Sequence, residues 1–275
     1  MDAPLSPGLY IVATPIGNLG DITLRAITTL RGVAAVACED TRVTGKLLHH
    51  LEIKQRLIRY DDHASEATRD HILALAGEKP VALVSDAGTP LISDPGFKLV
   101  RAARERGIAV TSLPGPSAAI MALTLAGLPS DRFLFAGFLP SKDKARREAL
   151  RGLAAINATL VLYETSPRLT DALAAIGEEL PGREIAVARE LTKRFEECRT
   201  GSATELIAHY TAASPKGEIA LVIAPPGEGP AVEHDIDALL LAALATEKAS
   251  QAAAAVSRVT GLDRKALYAR ALELK

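Results

Sequence analysis

The run Leu83-Val-Ser-Asp-Ala-Gly-Thr-Pro-Leu-Ile-Ser-Asp-Pro95 constrains the fold more than any other stretch, because it ends an apolar strand in a tight polar loop that carries a carboxylate. Val81, Leu83 and Val84, with Ala82 between them, supply the strand; Asp86, Gly88, Thr89 and Pro90 supply the turn chemistry that stops it. The same logic returns downstream. Val110 to Leu113 reads as a strand, Pro114-Gly115-Pro116 as the break, and Ser117 as the N-cap of an apolar helix from Ala118 to Leu125. Strand ends that feed glycine-containing loops beside helix N-termini are where open α/β sheets hold small ligands, so the pattern predicts a cleft.

Strands and helices alternate around these loops. Leu9 to Ala13 and Val33 to Ala37 read as strands, and Thr23 to Leu30, Thr41 to Leu51, Ser65 to Ala76 and Phe97 to Arg106 as helices, which is an α/β pattern with a largely parallel sheet. Leu128-Pro129-Ser130 interrupts it, and from Phe133 the alternation restarts. Strands are expected at Thr159 to Tyr163, Glu184 to Ala188 and Ile219 to Ile223, and helices at Pro167 to Ile176 and Ser202 to Tyr210. Two α/β domains, residues 8–128 and 129–226, would thus flank a cleft.

Pro225 to Pro230 has the composition of a linker. Beyond it, residues 232–275 read as a small helical domain. Leu239, Leu240, Ala243 and Leu244 share one helical face, Ala252, Ala255, Val256 and Val259 a second, Gly261 breaks, and Asp263 caps a third helix carrying Ala266, Leu267 and Ala271. This order resembles a helix-turn-helix unit. Arg258, Arg264, Lys265 and Arg270 would suit a nucleic acid, and a packing or dimerisation bundle fits the same pattern.

Composition excludes several classes. Of 275 residues, 48% are hydrophobic and 24% charged, as in an ordinary globular chain, and no apolar run of about 18 residues suggests a membrane span. Met1 to Pro7 lacks the basic start and apolar core of a signal peptide, so a cytoplasmic protein is expected. Cys38 and Cys198 form no Cys-x-x-Cys pattern and the six histidines no metal spacing, so neither a disulfide nor a metal is expected. The loop after the first strand, Ala13-Thr-Pro-Ile-Gly-Asn18, lacks the dinucleotide fingerprint, and no Walker-type loop occurs. A net charge of -1 rules out a uniformly basic surface, yet Lys142, Lys144, Arg146 and Arg147 form one local cluster and Lys193 and Arg194 another. Each is either a solvated helix face or a phosphate contact. Glu39-Asp-Thr-Arg42 reads as an N-cap with dipole pairing or as a polar site at a strand end.

The motifs Leu9-Tyr-Ile-Val-Ala-Thr-Pro-Ile-Gly-Asn-Leu-Gly-Asp-Ile-Thr-Leu-Arg25, Glu39 to Arg42, Ser85 to Gly96, Leu113-Pro-Gly-Pro-Ser117, Gly137-Phe-Leu-Pro140 and Ala188-Arg-Glu-Leu-Thr-Lys193 closely resemble the small-subunit ribosomal RNA methyltransferase I group of the tetrapyrrole methylase superfamily. The resemblance covers almost the whole chain. It implies two α/β domains of tetrapyrrole-methylase type with S-adenosylmethionine in the interdomain cleft, a small C-terminal helical domain, a homodimer, and 2'-O-methylation of cytidine 1402 in the decoding centre of 16S rRNA within the 30S subunit. The group's Tyr-Glu-Ser-Pro-His-Arg stretch is here Tyr163-Glu-Thr-Ser-Pro-Arg168, so its ends alone carry over.

On that reading, Thr14, Pro15, Asp86, Ala87, Thr89, Ser117 and Ala118 would line the cofactor cleft from the first domain, and Tyr163, Leu191 and Ala220 from the second. Asp86 would meet the methionyl ammonium. Asp40, Glu190 and Lys193 are the polar strand-end groups that would accept the ribose proton or stabilise the charge it leaves. Arg25, Arg42, Lys46, Arg146, Arg147, Lys193 and Arg194 would hold phosphates. Two rival expectations are a tetrapyrrole (uroporphyrinogen or precorrin) C-methyltransferase and a DNA-binding regulator that reads with its helical tail.

Overall fold

The computed structural model describes residues 4–213, 215–227, 236–245, 247–260 and 263–274. The chain divides into two units, Met1–Pro226 and Gly227–Lys275. The first unit holds two five-stranded sheets.

The first sheet comprises β1 (Gly8–Val12), β2 (Ala35–Cys38), β3 (Leu57–Arg59), β4 (Pro80–Val84) and β5 (Val110–Leu113), in the order β3-β2-β4-β1-β5 and parallel throughout. Helices α1 (Leu24–Gly32), α2 (Thr41–His50), α3 (Glu66–Glu78) and α4 (Phe97–Glu105) connect them. Strand residues alternate between two cores, as a period of two requires. Val12, Val36, Ala82, Val84 and Leu113 pack with Leu30 of α1 and Leu48 of α2, whereas Leu9, Ala37, Val81 and Leu83 pack with Ile72 and Leu73 of α3 and Leu99 of α4. Burial on both faces explains why β1, β2 and β4 read as nearly continuous apolar runs.

Strand order also fixes the ligand crevice. From β1 the chain crosses to β2 on one side of β4, and from β4 it crosses to β5 on the far side of β1, so the topology switches direction between β1 and β4. The loops leaving these two strands meet there: the Thr14 amide donates to the Gly88 carbonyl at 2.9 Å, and the Gly88 amide donates to the Thr14 carbonyl at 3.0 Å.

α5 (Ala118–Leu125) leaves the first sheet and packs on the second. Its sequence, Ala-Ala-Ile-Met-Ala-Leu-Thr-Leu, buries Ala119, Ala122 and Leu123 against that sheet and leaves Ile120 and Leu125 exposed. The second sheet comprises β6 (Phe133–Phe138), β7 (Thr159–Thr165), β8 (Ile185–Arg189), β9 (Glu197–Gly201) and β10 (Glu218–Ile223), in the order β6-β7-β10-β8-β9. Val161, Ala186, Ala188, Ala220 and Val222 meet Ala119, Ala122 and Leu123 of α5. The opposite face packs on α6 (Asp143–Ala154), α7 (Leu169–Glu179) and α8 (Ala203–Ala212) through Leu150, Leu173 and Leu206.

This sheet corrects the expectation that the first half's pattern simply restarts. β6 and β7 are parallel, but β7-β10, β10-β8 and β8-β9 are antiparallel. A parallel pair needs a long crossover, whereas the short loop Glu190 to Glu196 returns β8 directly to an antiparallel β9. Leu57–Arg59 and Glu197–Gly201, both edge strands, carry too little apolar pattern to announce themselves.

In the second unit, α9 (Ile236–Leu244), α10 (Ala249–Thr260) and α11 (Arg264–Glu273) close around Leu240, Ala253, Val256, Leu267 and Ala271. The Asp263 carboxylate accepts from the Lys265 and Ala266 amides, as its place before α11 predicts. Arg270 is tied to Asp237 and Glu273 by surface ion pairs, and it is exposed, as are Arg264 and Lys265. Gly261, the end of the linker at Pro230 and the side chains of Arg258 and Val259 lie outside the described residues.

Candidate active site

A cleft of about 410 Å³ opens where the loops after β4, β5, β7 and β8 converge with the edge of β10. It collects most of the residues expected to hold a cofactor. Asp86, Ala87, Thr89, Ser117 and Ala118 line it from the first sheet's side, and Tyr163, Leu191 and Ala220 from the second. Glu190 and Lys193 line it as well.

The loop after β4 is shaped by hydrogen bonds from beneath. Buried Ser85 donates its hydroxyl towards the carbonyls of Ala87 and Gly88, and the Thr89 hydroxyl donates to the Pro116 carbonyl at 2.9 Å, joining the two glycine-containing loops. Thr14 and Pro15 are buried under this loop and do not line the cleft; the Thr14 hydroxyl donates to the Ser85 carbonyl at 3.2 Å. Gly88 has φ +79°, and a Cβ there would meet Ile16 at 3.3 Å, so glycine answers both the backbone and the space. Ser117 occupies the N-cap position of α5 but makes no capping bond, which corrects its expected role and leaves its side chain at the cleft. Instead the Tyr163 hydroxyl accepts from the Ala119 amide at 3.1 Å, satisfying one of that helix's free N–H groups. Phe135 and Phe138 stand edge-on to the Tyr163 ring, with centroids 4.9 and 5.6 Å away.

Strain concentrates on both lips. Outside glycine, the described residues with left-handed backbone are Glu52, well away from the cleft loops, and Leu91, Ser93, Glu190 and Thr192 on those loops. Such conformations cost about 1–3 kcal/mol each and persist where the surroundings impose them, as functional loops do. The two lips also touch. The Asn18 amide donates to the Thr192 hydroxyl at 3.0 Å, and a Cβ on Gly17 would fall 2.6 Å from Lys193 Cγ. Glu190 accepts from Lys193 at 3.0 Å and lies against Gly217, whose Cβ would overlap its carboxylate.

The interior is acidic. Asp86 accepts the Asp40 amide at 3.1 Å, Glu39 and Asp94 line the cleft with it, and exposed Glu218 lies 3.8 Å from Lys193, while buried Glu164 is answered by Arg168. Burial, with Asp86 and Asp62 nearby, raises the Glu39 pKa. Burial pushes Asp94 up to about 6, against a Ser85 hydrogen bond that lowers it and with Glu39 and Asp86 adding to the rise. Neither residue was singled out from sequence as a cleft group. In the sequence Glu39 opens the Glu39 to Arg42 motif after β2, and Asp94 stands within the Ser85 to Gly96 motif.

Three expected roles are corrected by position. Asp40 is the N-cap of α2, held by the Arg42 amide at 2.8 Å and the Arg42 guanidinium at 2.6 Å, and it does not line the cleft. Those bonds lower its pKa to about 2, which makes it a poor proton acceptor. Arg146 is buried and bound to Asp143 at 2.9 Å, so it offers nothing to a phosphate. Arg147 is 23% exposed and spans Asp143, Glu178 and Glu179. Arg25, Arg42, Lys46 and Arg194 are exposed, with the Arg194 guanidinium 5.5 Å from the Phe195 ring centre.

The model for Tetrapyrrole (Corrin/Porphyrin) Methylases matches residues 8–207, from β1 into α8, and takes in the loops after β4, β5 and β8. The chain belongs to the tetrapyrrole methylase family. Within it, a protein of Erythrobacter litoralis named ribosomal RNA small subunit methyltransferase I is 65% identical over 99% of this chain and 97% of its own length. One of the same name from Escherichia coli O157:H7 is 47% identical over 96% and 94%. The model of the RsmI C-terminal HTH domain matches residues 230–275, in agreement with the three-helix second unit. Solved structures share the fold at low identity. Uroporphyrin-III-C-methyltransferase from Thermus thermophilus has a TM-score of 0.55 at 23% identity over 79% of this chain and 94% of its own, and a diphthine synthase 0.63 at 15% over 78% and 89%.

Proposed function

We propose that the chain transfers a methyl group from S-adenosylmethionine to small-subunit ribosomal RNA, at the ribose 2'-hydroxyl of cytidine 1402 in 16S rRNA. The observation that carries this reading is an acidic cleft at the topological switch point, in a chain 65% identical across nearly its whole length to a protein of the matching name.

The donor set fits S-adenosylmethionine. That group carries an ammonium and a sulfonium, and when bound it supplies an already activated methyl. Asp86 would hold the ammonium, and Glu39 and Asp94 add negative potential around it. Loop amides at 86–89, Leu191 and Ala220 would take the adenosine, with Gly88 allowing close backbone approach.

The remaining work falls to the chain's own groups. Holding the ribose hydroxyl in line with the methyl supplies much of the rate, since oriented reactants reach effective molarities of about 10⁵–10⁸ M. Asp94, half-buried in the cleft wall with its pKa at about 6, is the group best poised to take the hydroxyl proton near neutral pH. Lys193, oriented by Glu190, has further N–H donors for the charge that develops on the ribose oxygen. Exposed Arg25, Arg42, Lys46 and Arg194 would hold the phosphates outside the acidic interior. Exposed Leu24, Phe97 and Ile120 give the body apolar surface suited to a homodimer.

A direct test offers labelled S-adenosylmethionine with unmodified 30S subunits in one reaction and uroporphyrinogen in another. Label in the RNA alone supports the reading; label in the tetrapyrrole alone overturns it. In the same assay kcat should rise as pH passes about 6, because the base must lose its proton, and Asp94→Asn should lower kcat and remove that rise.

A further inference from the structure

Behind the cleft, separated from it by Glu190, lies a second pocket of about 340 Å³ between the Glu190 to Glu196 loop, the start of β9 and the C-terminal end of α8. Glu190 lines both cavities. The pocket's floor holds an unanswered donor. Tyr210 is 2% exposed, and its hydroxyl has no hydrogen-bond partner. Buried hydroxyls are nearly always paired, so this one calls for an acceptor. Burial, reinforced by the nearby Glu197 carboxylate, pushes the Tyr210 pKa up to about 12, so the proton stays available for donation.

The walls and rim narrow the ligand class. Arg189 and Glu197, bonded at 2.6 Å, offer donors and acceptors on one wall, and His209 packs edge-on to Tyr210 at 4.8 Å. On the rim, Phe195 is 65% exposed, a large aromatic with no core to serve. Exposed Lys216 lines the same opening, and Arg194 sits over the Phe195 ring. A flat, apolar face with a hydrogen-bonding edge and an attached anion meets all of these features. A nucleotide of single-stranded RNA is such a ligand: splayed bases stack on aromatic side chains and are read at their edges, while cations take the phosphate.

We propose that this pocket takes the base of a nucleotide adjoining the one that is methylated, with Phe195 as its stacking platform and the Tyr210 hydroxyl donating to its edge. The inference rests on the proposed RNA methyl transfer, and the shared Glu190 wall is what makes the two nucleotides neighbours.

Methyl transfer to unmodified 30S subunits by Phe195→Ala, Phe195→Trp and Tyr210→Phe variants tests it. Stacking a base is worth roughly a factor of ten or more in affinity. Phe195→Ala should therefore raise KM for the subunit about tenfold, with Phe195→Trp restoring it to within about twofold of wild type, and Tyr210→Phe should raise it about threefold. KM for S-adenosylmethionine and the melting temperature should stay unchanged, since Phe195 lies outside the core and Tyr210→Phe removes one atom. An unchanged subunit KM in both Phe195→Ala and Tyr210→Phe overturns the pocket's role while methyl transfer stands. Absence of transfer to RNA by the wild-type protein overturns the proposed function and this inference with it.

Discussion

Two basic stretches look alike in the sequence and do opposite work in the fold. Lys142 to Arg147 and Lys193-Arg194 both follow strand ends and both invite a phosphate-binding reading. In α6, however, the two arginines turn inward. Asp143, three and four residues earlier, binds both, and Glu178 and Glu179 of α7 meet Arg147 and Arg151 across the helix pair. They strut two helices together, and the lysines of the stretch remain outside. Lys193, by contrast, follows left-handed Glu190 and Thr192 at the lip of the acidic cleft, with the carboxylates of Glu190 at 3.0 Å and exposed Glu218 at 3.8 Å. In the one stretch the backbone delivers positive charge to a cavity, and in the other acidic residues on the neighbouring helix take it up as a structural joint.

Substitutions can break that contrast. Lys193→Ala should cut kcat about 100-fold, the scale of a lost charge-stabilising or proton-handling group, with little change in melting temperature. Gly217→Ala reaches the same lip indirectly. Its Cβ would displace the Glu190 carboxylate, and its φ of +89° disfavours any side chain, so kcat should fall by about tenfold, measured alongside melting to separate the two causes. Arg146→Ala should do the reverse of Lys193→Ala. It should cost about 1–2 kcal/mol, or about 3–6 °C in melting temperature, while kcat and KM per folded molecule remain within about twofold. Arg194→Ala sharpens the comparison at its mild end. Subunit affinity should weaken modestly and the slope of log K against log salt should fall by about one, whereas Arg147→Ala should leave that slope unchanged.

Legibility in the sequence followed burial. β2 and β4, inside the first sheet and buried along nearly their whole length, show their apolar runs plainly, and α5 begins and ends at the residues its pattern predicts. The glycine-rich loops after β4 and β5 pointed to the cleft because turn chemistry is local. The antiparallel half of the second sheet did not show, since pairing direction depends on a long-range choice, and edge strand β9, Glu-Cys-Arg-Thr-Gly, has no apolar face to betray it. Asp40 and Asp94 were separable only in three dimensions. Arg42 neutralises one in solvent, whereas burial among carboxylates poises the other. The inward turn of Arg146 and Arg147 needed the packing of α6 on α7, which no spacing rule within one helix reveals.

The measurement that bears most directly on the whole account is the position of the transferred methyl group. 16S rRNA from unmodified 30S subunits, treated with the protein and S-adenosylmethionine, is digested and mapped by mass spectrometry before and after alkaline hydrolysis. The account predicts one added methyl on cytidine 1402, with the phosphodiester on its 3' side made resistant to alkali because the 2'-oxygen can no longer attack it. A methyl on a base, with every linkage still alkali-labile, or RNA left unmodified, would contradict it.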